Sequence, residues 1–176
     1  MIDSSRLGAL ALVILISAQA AHAKDLFVLE GYETMASPRL LTEGRYAELI
    51  EQSSPHGWRD RTRASFAATN LCVAHIKTAQ LDAARASCDA AIVAARSHRR
   101  PSSMPGGANE RRLALARAYS NRAVLNWVSG DRMAAEADLM QAARCAPQAH
   151  FIGRNARALS ARGEVSNALA AAVAER

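Results

Sequence analysis

Convincing strand alternation is missing along this chain of 176 residues, which argues against a sheet-based fold. Catalytic signatures are missing as well. There is no G-x-S-x-G elbow, no glycine loop that cradles a phosphate and no H-E-x-x-H pair. Gly106-Gly107 is not followed by the Lys-Ser/Thr that would make a phosphate loop. His56, His75, His98 and His150 share no metal-ligand spacing. Cys72 and His75 lie three apart on a helix pattern, but a thiol in a helix seam has no access to a substrate. The chain therefore reads as a non-enzyme, with no cofactor and no bound metal. Lysine is scarce too: Lys24 and Lys77 are the only two, so almost all of the positive charge is arginine.

Long apolar runs are confined to the start of the chain. Residues 1–23 join a short segment carrying Arg6 to the apolar run Leu7 to Ala18 and end on Ala21-His22-Ala23, the pattern of a secretory signal peptide cleaved after Ala23. The run is shorter than the ~20 residues that a spanning helix needs, and no second one follows, so stable membrane insertion is not expected. No cysteine lies near the cleavage site, so a lipid anchor is not indicated. The expected location is the periplasm of a Gram-negative bacterium. Three cysteines, Cys72, Cys88 and Cys145, would meet an oxidising compartment there, enough for one bridge and one thiol left over. A net charge of +6 favours an acidic partner, and export makes nucleic acid an unsuitable one.

From about Arg59 onward apolar residues recur at spacings of three and four, with alanine, leucine and arginine filling much of the rest. That is a helix pattern. Breakers at Ala79-Gln80, Ser129-Gly130-Asp131, Ala146-Pro147 and Arg162-Gly163 sit where helical hairpins would turn. Residues 99–109, with two prolines and two adjacent glycines, read as a surface loop. Leu40 to Gln52 looks like the end of one helix, a glycine turn and a second helix. The expected organisation is a leader at 1–23, a lead-in with a partial hairpin at 24–58 and one helical domain at 59–176.

Within that domain the chain repeats itself. Asn121 and Asn155 are 34 residues apart, and Asn70 and Asn121 are 51 apart, one such period plus 17 residues that the loop and its flanks account for. The asparagines open similar phrases, NLCVAHI, NRAVLNW and NARALSA. A fixed period in this range marks a stack of supersecondary units.

Residues 116–149 resemble the tetratricopeptide repeat. The family pattern W-x2-L-G-x2-Y, then A-x3-F, then P falls on Tyr119, Arg122, Ala123 and Asn126, then Ala135 and Leu139, then Pro147, with Gly130-Asp131 as the turn. Arg122 stands where the family has leucine and Asn126 where it has tyrosine. Residues 65–98 match through Ala68, Leu71, Cys72 and His75, then Ala84, Cys88 and Ala91, and 150–176 form a degenerate third unit. The resemblance implies an all-α solenoid of two to three antiparallel hairpins, and a protein-protein interaction module, an adaptor or assembly factor, whose groove takes a peptide or helix. It implies a groove lined by Thr69, Asn70, Val73, Ile76 and Lys77, then Arg117, Ser120, Asn121, Val124 and Trp127, then Arg154 and Asn155.

Two readings of the three asparagines stand at this point: they hold a partner's backbone, or they satisfy neighbouring helices. For Trp127 packing outweighs recognition. The resemblance places Cys72 and Cys88 face to face across one hairpin, so they are expected to bridge, the alternative being two buried thiols. Arg96, Arg99, Arg100, Arg111 and Arg112 bracket the long loop as a basic patch, read either as a dock for an acidic partner or as solvated surface. The oligomeric state stays open. A second functional reading is a self-associating structural or regulatory subunit whose groove is filled by its own residues 24–38 or by another copy.

Overall fold

The structure, a computed structural model, describes residues 26–32, 39–53, 61–97 and 107–161. Among these residues the architecture is all-α, with six helices: α1 Tyr46–Gln52, α2 Arg61–Lys77, α3 Leu81–Arg96, α4 Gly107–Val128, α5 Arg132–Cys145 and α6 His150–Ser160. The leader, Arg99 and Arg100, the Arg162-Gly163 turn and the second half of the third unit lie outside the described residues. Gly107 to Asn109, expected in the loop, form the first turn of α4. No helix among the described residues is long and apolar enough to cross a membrane.

Helix pairs form because each turn is closed by the same backbone device. After α2, the Gln80 N–H donates to the His75 carbonyl and the Ala79 N–H to the Ile76 carbonyl. After α4, the Asp131 N–H donates to the Asn126 carbonyl and the Gly130 N–H to the Trp127 carbonyl. This paired capping needs a left-handed residue just past the helix end. Gly130 supplies it at φ 86°, whereas Ala79 adopts φ 59° with a side chain present, at a cost of ~1–2 kcal/mol that packing of the hairpin must offset. Ahead of α1, the Arg45 N–H donates to the Leu40 carbonyl and the Gly44 N–H to the Leu41 carbonyl. The lead-in therefore enters α1 through the same kind of capped turn. Asp131 then caps α5, its carboxylate accepting from the Ala134 N–H.

Small residues set the separation of the helices. Ala84, Ala91 and Ala95 on α3 and Ala135 and Ala142 on α5 are fully buried, so backbones approach closely where α3 meets α2 and α5 meets α4. Each hairpin packs on the next: α3 also meets α4, and α6 meets both α4 and α5. One continuous core runs through the stack, holding Ile76, Ile92, Val124, Leu125, Leu139, Phe151, Ile152 and Leu159. A smaller cluster of Leu40, Leu49 and Ala74 seats the lead-in on α2. The Cys72–Cys88 disulfide joins α2 to α3, with Cα atoms 4.8 Å apart.

Arg122 and Asn126, the two departures from the repeat pattern, meet at one buried carboxylate. Arg122 grips Asp138 of α5 with two hydrogen bonds of 2.7 Å, Nε to Oδ2 and Nη2 to Oδ1. Asn126 Nδ2 donates to Asp138 Oδ2 at 2.9 Å. Arg122 Nη1 also donates to Asp89 of α3 at 2.7 Å. Hydrogen bonding to Asp138 is the main reason the guanidinium is held more firmly protonated than usual. A polar lock thus replaces an apolar seam between α4 and α5, and through Asp89 it reaches α3 of the neighbouring hairpin.

A groove lined by three asparagines

Asn70 and Asn121 occupy matching positions on α2 and α4, the first helices of consecutive hairpins, and Asn155 the corresponding position on α6, which packs against α4 and α5. All three are buried. Their amides point to one line, along which residues 28–32 of the same chain run. Asn155 accepts the Val28 N–H at 2.8 Å and returns a hydrogen bond from Nδ2 to the Val28 carbonyl at 2.9 Å. Asn121 does the same for Glu30, at 2.9 and 2.7 Å. Asn70 does so for Tyr32, at 2.7 and 2.8 Å. Only an extended chain turns the N–H and C=O of every second residue to one side, so this alternation defines the backbone of the segment. It runs from α6 towards α2, opposite to the order of the helices.

The spacing is what makes such a ladder possible. Two extended residues advance ~6.6–6.8 Å, and neighbouring helices pack ~8–10 Å apart. One asparagine per 34-residue unit can then meet one residue in two of the segment. Ser120 fixes the amide of Asn155 from behind, its hydroxyl accepting from Nδ2 at 2.9 Å.

Side chains of the segment are held individually. Phe27 is buried in the main core, its ring 6.3 Å edge-on from the half-buried Trp127. Glu30 faces Arg117 Nε at 3.5 Å and His150 Nε2 at 3.8 Å. The Tyr32 ring stacks on Phe66 at 4.1 Å, while the Arg117 guanidinium lies over the ring at 4.7 Å. Burial pushes the Tyr32 phenol up from its ordinary value of 10.0, against the opposing pull of Arg117. Gly31 lies against Leu41 and the Asn70 amide; a Cβ there would come 2.5 Å from Leu41 Cδ1 and 3.0 Å from Asn70 Oδ1.

The other residues assigned to the groove from the sequence are placed as follows. Thr69 is buried and donates its hydroxyl to the Ser65 carbonyl of its own helix. Val73, Ile76 and Val124 are buried, Lys77 is half-buried, and Arg154 is exposed on α6. Trp127 packs on Phe27 and beneath Arg132. In the basic patch, Arg111 and Arg112 are exposed on α4, with Arg112 donating to Asn109, and Arg96 donates to the Tyr119 hydroxyl. Cys145, the free cysteine, is half-buried, and burial raises its thiol above the usual range.

Phe27, Glu30, Tyr32 and Phe66 were not individually expected at the groove. The signal that could have found them is the spacing of the asparagines: three amides at one period require three backbone partners two residues apart, and residues 27–32 offer an extended-prone run. No family model matches the chain, and no curated protein or solved structure matches it either.

Proposed function

We propose that this chain is an exported repeat protein of the tetratricopeptide type that holds an extended peptide segment in its groove and catalyses no reaction. Its role on this reading is that of an adaptor or assembly factor in the periplasm of a Gram-negative bacterium. The observation that carries the proposal is the asparagine ladder. Three side-chain amides each make a matched donor and acceptor pair with the backbone of alternate residues. Side-chain amides offer both a donor and an acceptor, so they suit an extended backbone whatever its side chains. The disulfide between α2 and α3 supports a location outside the reducing cytoplasm.

A second reading is favoured by one specific observation: Phe27 is part of the main core. On that reading residues 26–32 complete the fold, and the chain is a structural or regulatory subunit with its groove filled by itself. A photoreactive residue replacing the exposed Arg154, activated in the native envelope, separates the two. Crosslinks to an extended segment of one recurring protein are expected. Crosslinks only within this chain or between its copies would sink the adaptor reading in favour of the second.

A further inference from the structure

The ladder reads backbone, so any preference among peptides has to arise from side chains beside it. Asn121 and Asn70 hold adjacent rungs, which fixes Glu30 and Tyr32 as residues i and i+2 of the occupant. One guanidinium serves both. Arg117, one turn before Asn121 on α4, faces the Glu30 carboxylate and lies over the Tyr32 ring, which also stacks on Phe66.

Resting on the groove reading above, we propose that the groove selects extended protein segments carrying an acidic residue two positions before an aromatic one. Arg117 reads both, and residues 26–32 are a resident competitor that the partner segment displaces. The chemistry at each position is restrictive. A basic residue in place of Glu30 would meet Arg117, and like charges at such range repel. An aliphatic residue in place of Tyr32 would lose the stacking face and the cation-π contact together. At the Asn155 rung the Val28 backbone is bonded and its side chain packs on the main core, which asks only for an apolar residue there. Selectivity therefore concentrates at two neighbouring rungs.

Residency follows from connectivity. A segment tied to its groove by a short tether acts at an effective concentration of order millimolar. A free peptide then binds with an affinity reduced by the fraction of grooves that stand open. The same residues show what the competitor must look like, because the partner has to satisfy the contacts that Glu30 and Tyr32 satisfy here.

The test uses the purified full chain with its disulfide intact and a Glu30→Lys/Tyr32→Ala variant, which weakens the resident segment and leaves Phe27 and the asparagines untouched. The probe is a fluorescein-labelled peptide with the sequence DLFVLEGYET, followed by anisotropy beside two altered probes, one with Gln for its central Glu and one with Leu for its Tyr. The variant should bind the parent probe at least tenfold more tightly than the unaltered chain does. Each altered probe should bind the variant at least tenfold more weakly than the parent, and adding Arg117→Gln should erase those differences. Equal binding of all three probes by the variant would overturn the selectivity and leave the groove reading standing. Equal binding of the parent probe by the variant and the unaltered chain would overturn residency. No binding of any probe, with helical circular dichroism retained, would overturn both the selectivity and the groove reading. Should the variant fail to fold, the unaltered chain is decisive: millimolar unlabelled parent peptide should accelerate hydrogen exchange at the Glu30 amide, and unchanged exchange overturns displacement.

Discussion

Replacing Asn121 with alanine removes the middle rung of the ladder. Two hydrogen bonds to Glu30 disappear, N–H to Oδ1 and Nδ2 to carbonyl. Each is worth ~1 kcal/mol net when the freed group finds water, and up to ~3 kcal/mol when it does not. Glu30 is half-buried, so water reaches the segment from its outer side and the lower figure applies. The expected loss is about 2 kcal/mol, felt by residues 28–32 alone, since the segment opens locally while α4 keeps its own backbone bonds. A loss of that size corresponds to roughly 30-fold faster opening. Native-state hydrogen exchange of the Glu30 and Tyr32 amides measures it directly. In the unaltered chain both amides should be protected by their asparagines; in Asn121→Ala the Glu30 amide should exchange about 30-fold faster, with protection in the middle of α2 and α4 retained. Exchange at Glu30 within threefold of the unaltered rate would refute the Asn121 rung as a contributor to the stability of the seated segment. So would an acceleration shared equally by the helices.

Replacing Cys72 and Cys88 by serine removes a cross-link spanning 16 residues; the loss should be about 3 kcal/mol, lowering Tm by about 10 °C for a domain of this size, which calorimetry would detect. Arg122→Ala leaves the Asp138 carboxylate buried with Asn126 as its remaining contact. Breaking fully buried pairs costs ~3–5 kcal/mol, and because the Arg122 side chain is partly exposed a loss of about 2–3 kcal/mol in urea unfolding is expected; less than ~0.5 kcal/mol would show that the lock is ornamental. Tyr32 titrates above its ordinary 10.0 because the seated ring is buried, so its contribution to seating is complete below pH 10 and fades as pH rises through the raised value. Phenolate absorbance should show a late-titrating tyrosine that Tyr32→Phe removes, and an unchanged titration curve in that variant would contradict the assignment.

The hairpins were legible because their causes are local. Alanine-rich runs broken by Ser129-Gly130-Asp131 declare a turn on glycine chemistry alone, and the fold places one there. Ala79 carries no such signal, yet the period located the same turn, with the same pair of capping bonds. The disulfide was readable from the positions of Cys72 and Cys88 on facing helices. Asn70, Asn121 and Asn155 were recognisable as equivalent but not as a ladder. Their partners lie 38, 91 and 127 residues away, and an amide in isolation suits a neighbouring helix equally well. Arg122 and Asn126 looked like faults in the repeat because the repeat pattern assumes an apolar seam. Asp138 answers both, and no pairwise rule links a departure on one helix to a carboxylate on the next.

The ladder alone does not decide what occupies the groove. Six hydrogen bonds across residues 28–32 contribute about 1 kcal/mol per residue, and ordering an extended backbone costs ~1–2 kcal/mol per residue. Backbone recognition therefore roughly cancels the loss of freedom and holds nothing in place by itself. The balance falls to side chains: Phe27 in the core, Glu30 beside Arg117, and Tyr32 against Phe66 and Arg117. An arrangement of this kind presents a register to any extended chain and retains those whose side chains match. Phe27 distinguishes a permanent occupant from an exchangeable one. Its burial, worth ~1.5–3 kcal/mol, anchors the segment at the α6 end, while the Arg117 contacts anchor the α2 end. A partner that displaces residues 26–32 has therefore to match the Arg117 contacts and also to replace Phe27 in the core.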